Sequence, residues 1–122
     1  MIVGLDHVSV LIENKAVALA FYCQLLGLQE IERPILGFDG AWLRLGQAQS
    51  LHLMCLPKAD GQHFAPEHAG RDRHIALIVD SLELAKQRLV EAQVPFTLSR
   101  SGRASIFCRD PDGNGIELMA AH

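Results

Sequence analysis

The chain contains an internal repeat, and this repeat limits the folds that it can adopt more than any other feature. Residues of the first half correspond to residues of the same or similar character in the second half, at an offset of 67 or 65 positions. The matched pairs are His7 and His74, Val8 and Ile75, Val10 and Leu77, Trp42 and Phe107, Arg44 and Arg109, and His52 and Glu117. The two offsets differ by two residues, which the loops between elements absorb. The sequence therefore predicts two modules of the same architecture.

Each half shows the same order of predicted elements, which is a strand, a helix and three further strands. The first half has predicted strands at 5–12, 28–33, 41–45 and 51–56 and a helix at 16–26; the second half has strands at 73–79, 96–99, 104–109 and 116–120 and a helix at 82–93. Residues 57–72 lack any periodicity and are expected to form a loop. We therefore predict a single α+β domain of two βαβββ modules, residues 1–56 and 73–122, joined by the loop 57–72.

Composition excludes several classes of function. The formal net charge of −3, with no basic run, argues against nucleic acid as a partner. No apolar run approaches the roughly 18 residues that a membrane span requires. The N-terminus lacks a basic region followed by a long apolar core, so we expect no signal peptide and a cytoplasmic location. The three cysteines form no Cys-x-x-Cys pair and are expected to be free thiols.

Each half also places one metal-capable side chain on its first strand and another on its last. These residues are His7 and His52 in the first half, and His74 and Glu117 in the second. Strand alternation puts each of them on the face opposite the apolar residues that pack on the helix. Glu117 is the clearest case, because a carboxylate inside an apolar run is costly to bury unless it is paired or bound to a cation.

A single histidine on a strand face is usually a hydrogen-bonded structural residue. Four metal-capable residues at repeat-equivalent positions favour instead one divalent metal site between the halves. Imidazole and carboxylate ligands together suit zinc, nickel, cobalt, manganese or iron, and the sequence does not select among them. Four protein ligands leave two positions of an octahedral site open for water or substrate.

At these residues the chain resembles the vicinal oxygen chelate superfamily, which includes glyoxalase I, fosfomycin-resistance thiol transferases, methylmalonyl-CoA epimerase, extradiol dioxygenases and bleomycin-resistance proteins. The matching stretches are residues 5–10 (LDHVSV), 21–28 (FYCQLLGL), 73–77 (RHIAL) and 110–118 (DPDGNGIEL). The resemblance implies a cupped, mostly antiparallel sheet with the helices outside, one divalent metal per site and a homodimer. It leaves open whether each site forms within one chain or across the dimer.

Carried over to this chain, the superfamily's metal positions fall on His7, His52, His74 and Glu117. The imidazole of His52 departs from the glyoxalase pattern, in which that position is typically a glutamate that takes part in proton transfer. Glu117 is then the remaining candidate for the catalytic base. The resemblance favours a glyoxalase-like lyase or isomerase that stabilises an enediolate or alkoxide of a small, oxygen-rich substrate, anionic or thiol-conjugated. A fosfomycin-type thiol transferase and a non-catalytic bleomycin-type binding protein remain alternatives.

Aromatic and basic residues at repeat-equivalent positions are candidates for binding the substrate. Trp42 and Phe107 are expected to line the cup, and Arg44 or Arg109 to reach an anionic group, although arginines at strand ends are commonly solvated. Arg103 lies in a Ser/Gly/Arg segment that is either an anion-binding loop or a polar turn. A further group in the linker, His63, Glu67 and His68, has no repeat partner and is expected to be exposed.

Overall fold

The computed structural model describes residues 1–58 and 65–121, so residues 59–64 of the predicted loop, with His63, lie outside the described residues. The chain divides into two compact units, Met1–Asp60 and Gly61–His122, which we call the N-terminal and C-terminal modules. In the described part of the chain no helix has the length and apolar character needed to cross a membrane.

The N-terminal module has the predicted order of elements. It consists of β1 (His7–Leu11), α1 (Lys15–Leu19), a π-helical segment (Ala20–Leu25), β2 (Glu30–Ile31), β3 (Gly40–Leu45) and β4 (Gln49–Met54). Asn14 caps α1, since its side-chain oxygen accepts a hydrogen bond from the Val17 backbone N–H at 3.0 Å. Gly27, in the left-handed conformation at φ 83°, follows the helical region and lets the chain turn back towards the sheet.

The C-terminal module repeats this order after a short 3-10 turn at Ala69–Arg71. Its elements are β5 (His74–Val79), α2 (Leu82–Glu91), β6 (Thr97–Leu98), β7 (Ser105–Arg109) and β8 (Gly115–Ala120). Ser81 caps α2 by accepting a hydrogen bond from the Leu84 backbone N–H at 3.1 Å. The helix ends at Glu91, two residues earlier than predicted, because Gln93 takes a positive φ of 58° that an α-helix does not allow.

The two four-stranded sheets have the same topology, with strand orders β1-β4-β3-β2 and β5-β8-β7-β6. In each sheet the first and last strands of the module pair in parallel, and the other two pairings are antiparallel. The prediction of two βαβββ modules with mostly antiparallel pairing is therefore confirmed.

The repeat extends to the register of individual residues. His52 lies opposite Ser9 on β1 and opposite Trp42 on β3. Glu117 occupies the equivalent place, opposite Ala76 on β5 and opposite Phe107 on β7. Each sheet thus presents its last-strand candidate ligand beside an aromatic residue and diagonally across from the histidine that begins its first strand.

The structure also differs from the sequence prediction at residues 20–25, β2 and β6. Residues 20–25 are π-helical rather than α-helical, with the Leu26 N–H bonded to the Phe21 carbonyl five residues earlier. This widening places both aromatic rings of Phe21 and Tyr22 in the interior, in an edge-to-face pair with centroids 5.0 Å apart. The strands β2 and β6 are only two residues long, shorter than predicted; near β2, the Leu28 N–H is already bonded to the Tyr22 carbonyl.

The core of each sheet is formed by the strand residues that alternate with the candidate ligands. Leu51 and Leu53 flank His52 and are fully buried, as Ile116 and Leu118 are on either side of Glu117. The three cysteines are free thiols. Burial, with a smaller effect from the nearby Asp110 carboxylate, raises the pKa of Cys108 to about 12, so this thiol stays protonated and unreactive at neutral pH.

The close approach of β3 and β4 can be tested at Gly40. A Cβ atom there would lie 2.2 Å from the Leu53 carbonyl oxygen, and a backbone atom cannot move aside easily. We expect Gly40→Ala to lower the free energy of unfolding by about 1–3 kcal/mol in urea denaturation followed by circular dichroism. Gly4→Ala is the matched control, since nothing lies within 4 Å of its Cβ position. Equal stability of the two variants would contradict this packing.

Candidate functional site

The C-terminal module brings its two candidate ligands into contact. The His74 Nε2 atom lies 3.3 Å from the Glu117 Oε1 atom, and Glu117 is only 5% exposed although it carries a carboxylate. The His74 Nδ1 atom lies 2.8 Å from the Asp72 backbone carbonyl, which can only accept, so Nδ1 carries a proton and donates it. The Nε2 atom therefore faces the buried carboxylate, and this nitrogen carries either a second ring proton or a lone pair.

This geometry fits the ligand chemistry of a divalent metal. Two ligands about 2.1 Å from one metal ion, separated by about 90–109°, lie roughly 3.0–3.4 Å apart, and the observed 3.3 Å falls in that range. A histidine ligand typically donates its other ring N–H to a carbonyl or carboxylate, as His74 does to Asp72. A cation held by these two groups would also offset the cost of burying the Glu117 carboxylate.

The N-terminal module stacks its two candidate histidines against Trp42. The ring centroids of His7 and His52 are 4.1 Å apart with an interplanar angle of 13°, and those of His52 and Trp42 are 4.1 Å apart at 2°. The His7 Nδ1 atom lies 2.6 Å from the Asp6 carboxylate and donates to it. This contact leaves Nε2 of His7 as the nitrogen that is available to bind a metal. The Asp72 carbonyl has the same effect on His74, because it accepts the N–H of Nδ1.

His52 is the most constrained ring of this module. Its two faces are covered by His7 and Trp42, and its Nε2 atom lies 2.9 Å from the Ser50 hydroxyl. Burial holds the pKa of His52 below its usual range, and the neighbouring His7 and Arg33 lower that pKa further while Asp6 opposes them. The neutral ring that this favours is the form that binds metal ions, but Nε2 must first exchange its contact with Ser50.

A cavity of about 540 Å³ opens in the N-terminal module beside these rings. Its lining includes four of the residues that the sequence singled out, His7, Trp42, Arg44 and His52, together with Ile31 and Asp6. The Arg44 guanidinium makes a long contact of 3.5 Å with the Gln47 carbonyl oxygen and is exposed. Imidazole, indole and guanidinium groups of one module therefore line a single open space.

The equivalent aromatic and basic residues of the C-terminal module have different surroundings. Phe107 is 8% exposed and its ring lies 5.3 Å from that of His74, in an edge-on arrangement. Arg109 is held by three oxygens, those of the Asp72 carboxylate at 2.9 Å and of the Gly113 and Pro66 carbonyls. It fastens residues 66–72 to the β7–β8 turn.

Two further predicted positions have their surroundings defined by turns. Arg103 is exposed, and its backbone N–H bonds to the Ser101 hydroxyl in a polar turn. His68, expected to be an exposed linker residue, is instead half-buried. Its Nδ1 atom accepts from the Gly70 N–H at 3.0 Å, its Nε2 atom lies 3.3 Å from the Leu98 carbonyl oxygen, and its ring packs 5.0 Å from that of Phe107.

The structure thus brings the four candidate ligands together as two pairs, one in each module. Within residues 1–58 and 65–121 no three side chains of His, Cys, Asp or Glu are placed to hold one metal ion. Sequence reasoning missed Asp6 and Ser50, which contact the N-terminal histidines. Their positions carried a signal, since Asp6 precedes His7 and Ser50 shares the strand face of His52.

Two βαβββ modules, each with one mixed four-stranded sheet of the same strand order, match the glyoxalase-like fold. The family model described as Glyoxalase/Bleomycin resistance protein/Dioxygenase superfamily matches residues 4–118, and the chain belongs to this superfamily. Glyoxylase I 4 of Arabidopsis thaliana is 32% identical over 121 residues, which cover 94% of this chain and 69% of the relative. Membership and this relative support a glyoxalase-like role.

Solved structures share the fold over the whole chain. A protein assigned to the glyoxalase family from Bacillus anthracis superimposes with a TM-score of 0.77 at 27% identity, covering 100% of this chain and 98% of the other. A lactoylglutathione lyase from Agrobacterium tumefaciens gives a TM-score of 0.68 over 97% of this chain and 93% of the other. Its identity is 20%, so this likeness concerns the fold alone.

The role of Arg109 in holding residues 66–72 gives a stability prediction. The Asp72 side chain is only 7% exposed, so removing its guanidinium partner leaves a poorly solvated carboxylate. We expect Arg109→Gln to lower the free energy of unfolding by about 2 kcal/mol, measured by chemical denaturation. Arg71→Gln removes the same charge from an exposed position of the same module and should change stability little. Equal effects of the two substitutions would contradict the structural role of Arg109.

Proposed function

We propose that this protein is a divalent-metal-dependent, glyoxalase-like enzyme of the lyase or isomerase type that acts on a small, oxygen-rich substrate. The observation that carries the proposal is the contact of 3.3 Å between His74 Nε2 and the buried Glu117 carboxylate. A cation is favoured beside a buried carboxylate and an imidazole nitrogen when the other nitrogen of that ring already donates its N–H to the protein.

In this proposal the His74–Glu117 pair and the His7–His52 pair together supply the ligands of one divalent metal. Three imidazoles and one carboxylate are compatible with zinc, nickel, cobalt, manganese or iron. The two pairs come either from one chain or from the two chains of a homodimer. The hydrogen bonds of His7 to Asp6 and of His74 to the Asp72 carbonyl would fix which nitrogen of each ring is offered.

A divalent metal held by these residues would supply Lewis-acid chemistry that polarises two vicinal substrate oxygens and would stabilise the negative charge of an enediolate or alkoxide. In the isomerase reaction Glu117 Oε1 takes a proton from one carbon of the substrate and returns it to the neighbouring carbon, so that no other reactant is consumed. Glu117 is the one carboxylate among the four candidate ligands, which favours this role. His74 holds the carboxylate in place.

The aromatic and basic residues would position the substrate. Trp42 and Arg44 line the cavity of the N-terminal module, and Phe107 lies against His74 in the C-terminal module. Arg103 is exposed and free to contribute from its turn, whereas Arg109 would first have to leave its three oxygen partners. We therefore expect Trp42, Arg44 and Phe107 to contribute more to substrate affinity than either of these arginines.

Metal binding is the first test. Protein purified without a metal-affinity tag should contain a divalent metal by elemental analysis, or take it up in calorimetric titration. His74→Ala and Glu117→Ala should each weaken metal affinity by at least about 10–100-fold, because each removes a ligand. His68→Ala is the control, since both of its ring nitrogens are occupied by backbone contacts. A protein that neither contains nor takes up metal would contradict the enzyme proposal and favour a non-catalytic ligand-binding protein.

The role of Glu117 is tested by proton exchange. Lactoylglutathione, a 2-hydroxy thioester, serves as the candidate substrate in deuterium oxide, and mass spectrometry follows deuterium entering the lactoyl C2 position. We expect the wild-type protein to catalyse exchange and Glu117→Gln to slow it by at least about 100-fold at metal concentrations that saturate the variant. Glu83→Gln, which alters an exposed carboxylate on α2, should exchange normally. Full exchange by metal-loaded Glu117→Gln would exclude Glu117 as the base.

A further inference from the structure

We infer that the cavity of the N-terminal module is an oxyanion subsite, in which Arg44 binds a carboxylate or phosphate group and Trp42 packs against an apolar part of the same molecule. That the bound molecule is the enzyme's substrate rests on the proposed function; that the cavity binds small amphipathic anions does not. Arg44 and Arg109 occupy equivalent positions of the sequence repeat, but only Arg44 has this role.

Arg44 is available to a ligand, whereas Arg109 is not. Within the described ranges 1–58 and 65–121, Arg44 has no carboxylate partner, and its contact with the Gln47 carbonyl oxygen is long, at 3.5 Å. Arg109 occupies the equivalent position of β7 but is bonded to a nearly buried carboxylate and two carbonyl oxygens. A planar guanidinium whose donors are free presents a fork that matches a carboxylate or phosphate.

The charged residues of the cavity lining also favour an anionic ligand. Asp6 is the acidic residue of the cavity lining, and its carboxylate accepts a hydrogen bond from His7 at 2.6 Å. It is therefore directed at the imidazole rather than at the guanidinium. Arg44 is the cationic residue of the same lining and contacts no carboxylate in the part of the chain that the structure describes, so the region of the cavity near β3 favours an anionic ligand.

The cavity also presents apolar surface beside Arg44. His52 lies between His7 and Trp42, so only its ring edge is left to face the cavity. Trp42 and Ile31, which are opposite each other on β3 and β2, supply apolar surface beside Arg44. A volume of about 540 Å³ suits a small molecule that combines both kinds of group.

Trp42 is the only tryptophan of the chain, so its fluorescence reports on this cavity without a label. The protein is treated with a chelator to remove metal ions and is then dialysed to remove the chelator. This metal-free protein is titrated with mandelate, with its neutral analogue mandelamide and with phenyl phosphate. We expect mandelate or phenyl phosphate to change Trp42 emission with an affinity at least tenfold higher than that of mandelamide. The relative affinities of mandelate and phenyl phosphate show which oxyanion the subsite prefers.

The matched variants are Arg44→Gln and Arg71→Gln, which remove the same charge from the cavity and from an exposed turn. Arg44→Gln should lose at least tenfold in anion affinity while retaining the wild-type melting temperature, and Arg71→Gln should bind as the wild-type protein does. Equal affinity for mandelate and mandelamide, undiminished anion binding by Arg44→Gln, or no binding of any probe would overturn the inference. Because no metal is present, these results are separate from the metal and exchange experiments, and either proposal can fail while the other holds.

Discussion

The contact between His74 and the buried Glu117 carboxylate is the constraint on which the account of the site depends. A carboxylate flanked on its strand by the fully buried Ile116 and Leu118 is unfavourable unless something positive lies beside it. The His74 ring is oriented towards it because its other nitrogen donates to the Asp72 carbonyl. A proton on Nε2 or a metal ion would each satisfy this arrangement, and the repeat-equivalent histidine pair of the other module is the reason to favour the metal.

The two modules share topology and register but differ chemically at the equivalent positions. Where the C-terminal sheet has a carboxylate beside a phenyl ring, the N-terminal sheet has His52 between two rings and in contact with Ser50. The basic residues differ in the same way, because Arg44 faces an open cavity and Arg109 fastens the linker. At equivalent positions the C-terminal module therefore has an imidazole beside a buried carboxylate, whereas the N-terminal module has two imidazoles, an indole and an exposed guanidinium.

Much of the fold could be predicted from the sequence, because alternation and helical periodicity were repeated in both halves. Each half therefore supported the order of strands and helix predicted for the other. The same alternation placed His52 and Glu117 on the face opposite the buried leucines and isoleucine of their strands. The π-helical segment could not be predicted, because over a span as short as residues 20–25 the apolar spacing does not distinguish a π-helical turn from an α-helical turn. The ends of β2 and α2 were misjudged because local backbone bonds, rather than side-chain pattern, determine them.

The surroundings of the site were harder to predict than its residues. The role of Arg109 depends on Pro66 and Asp72, which belong to a segment without periodicity, and the contacts that hold the half-buried His68 also involve this segment.

The most direct test of the metal site is ¹⁵N NMR of the imidazole nitrogens while zinc is added to metal-free protein. The account predicts that the Nε2 resonances of His7 and His74 shift to zinc-bound values while their Nδ1 atoms stay protonated. Unchanged Nε2 resonances at saturating zinc, or zinc bound through Nδ1 of either ring, would contradict it.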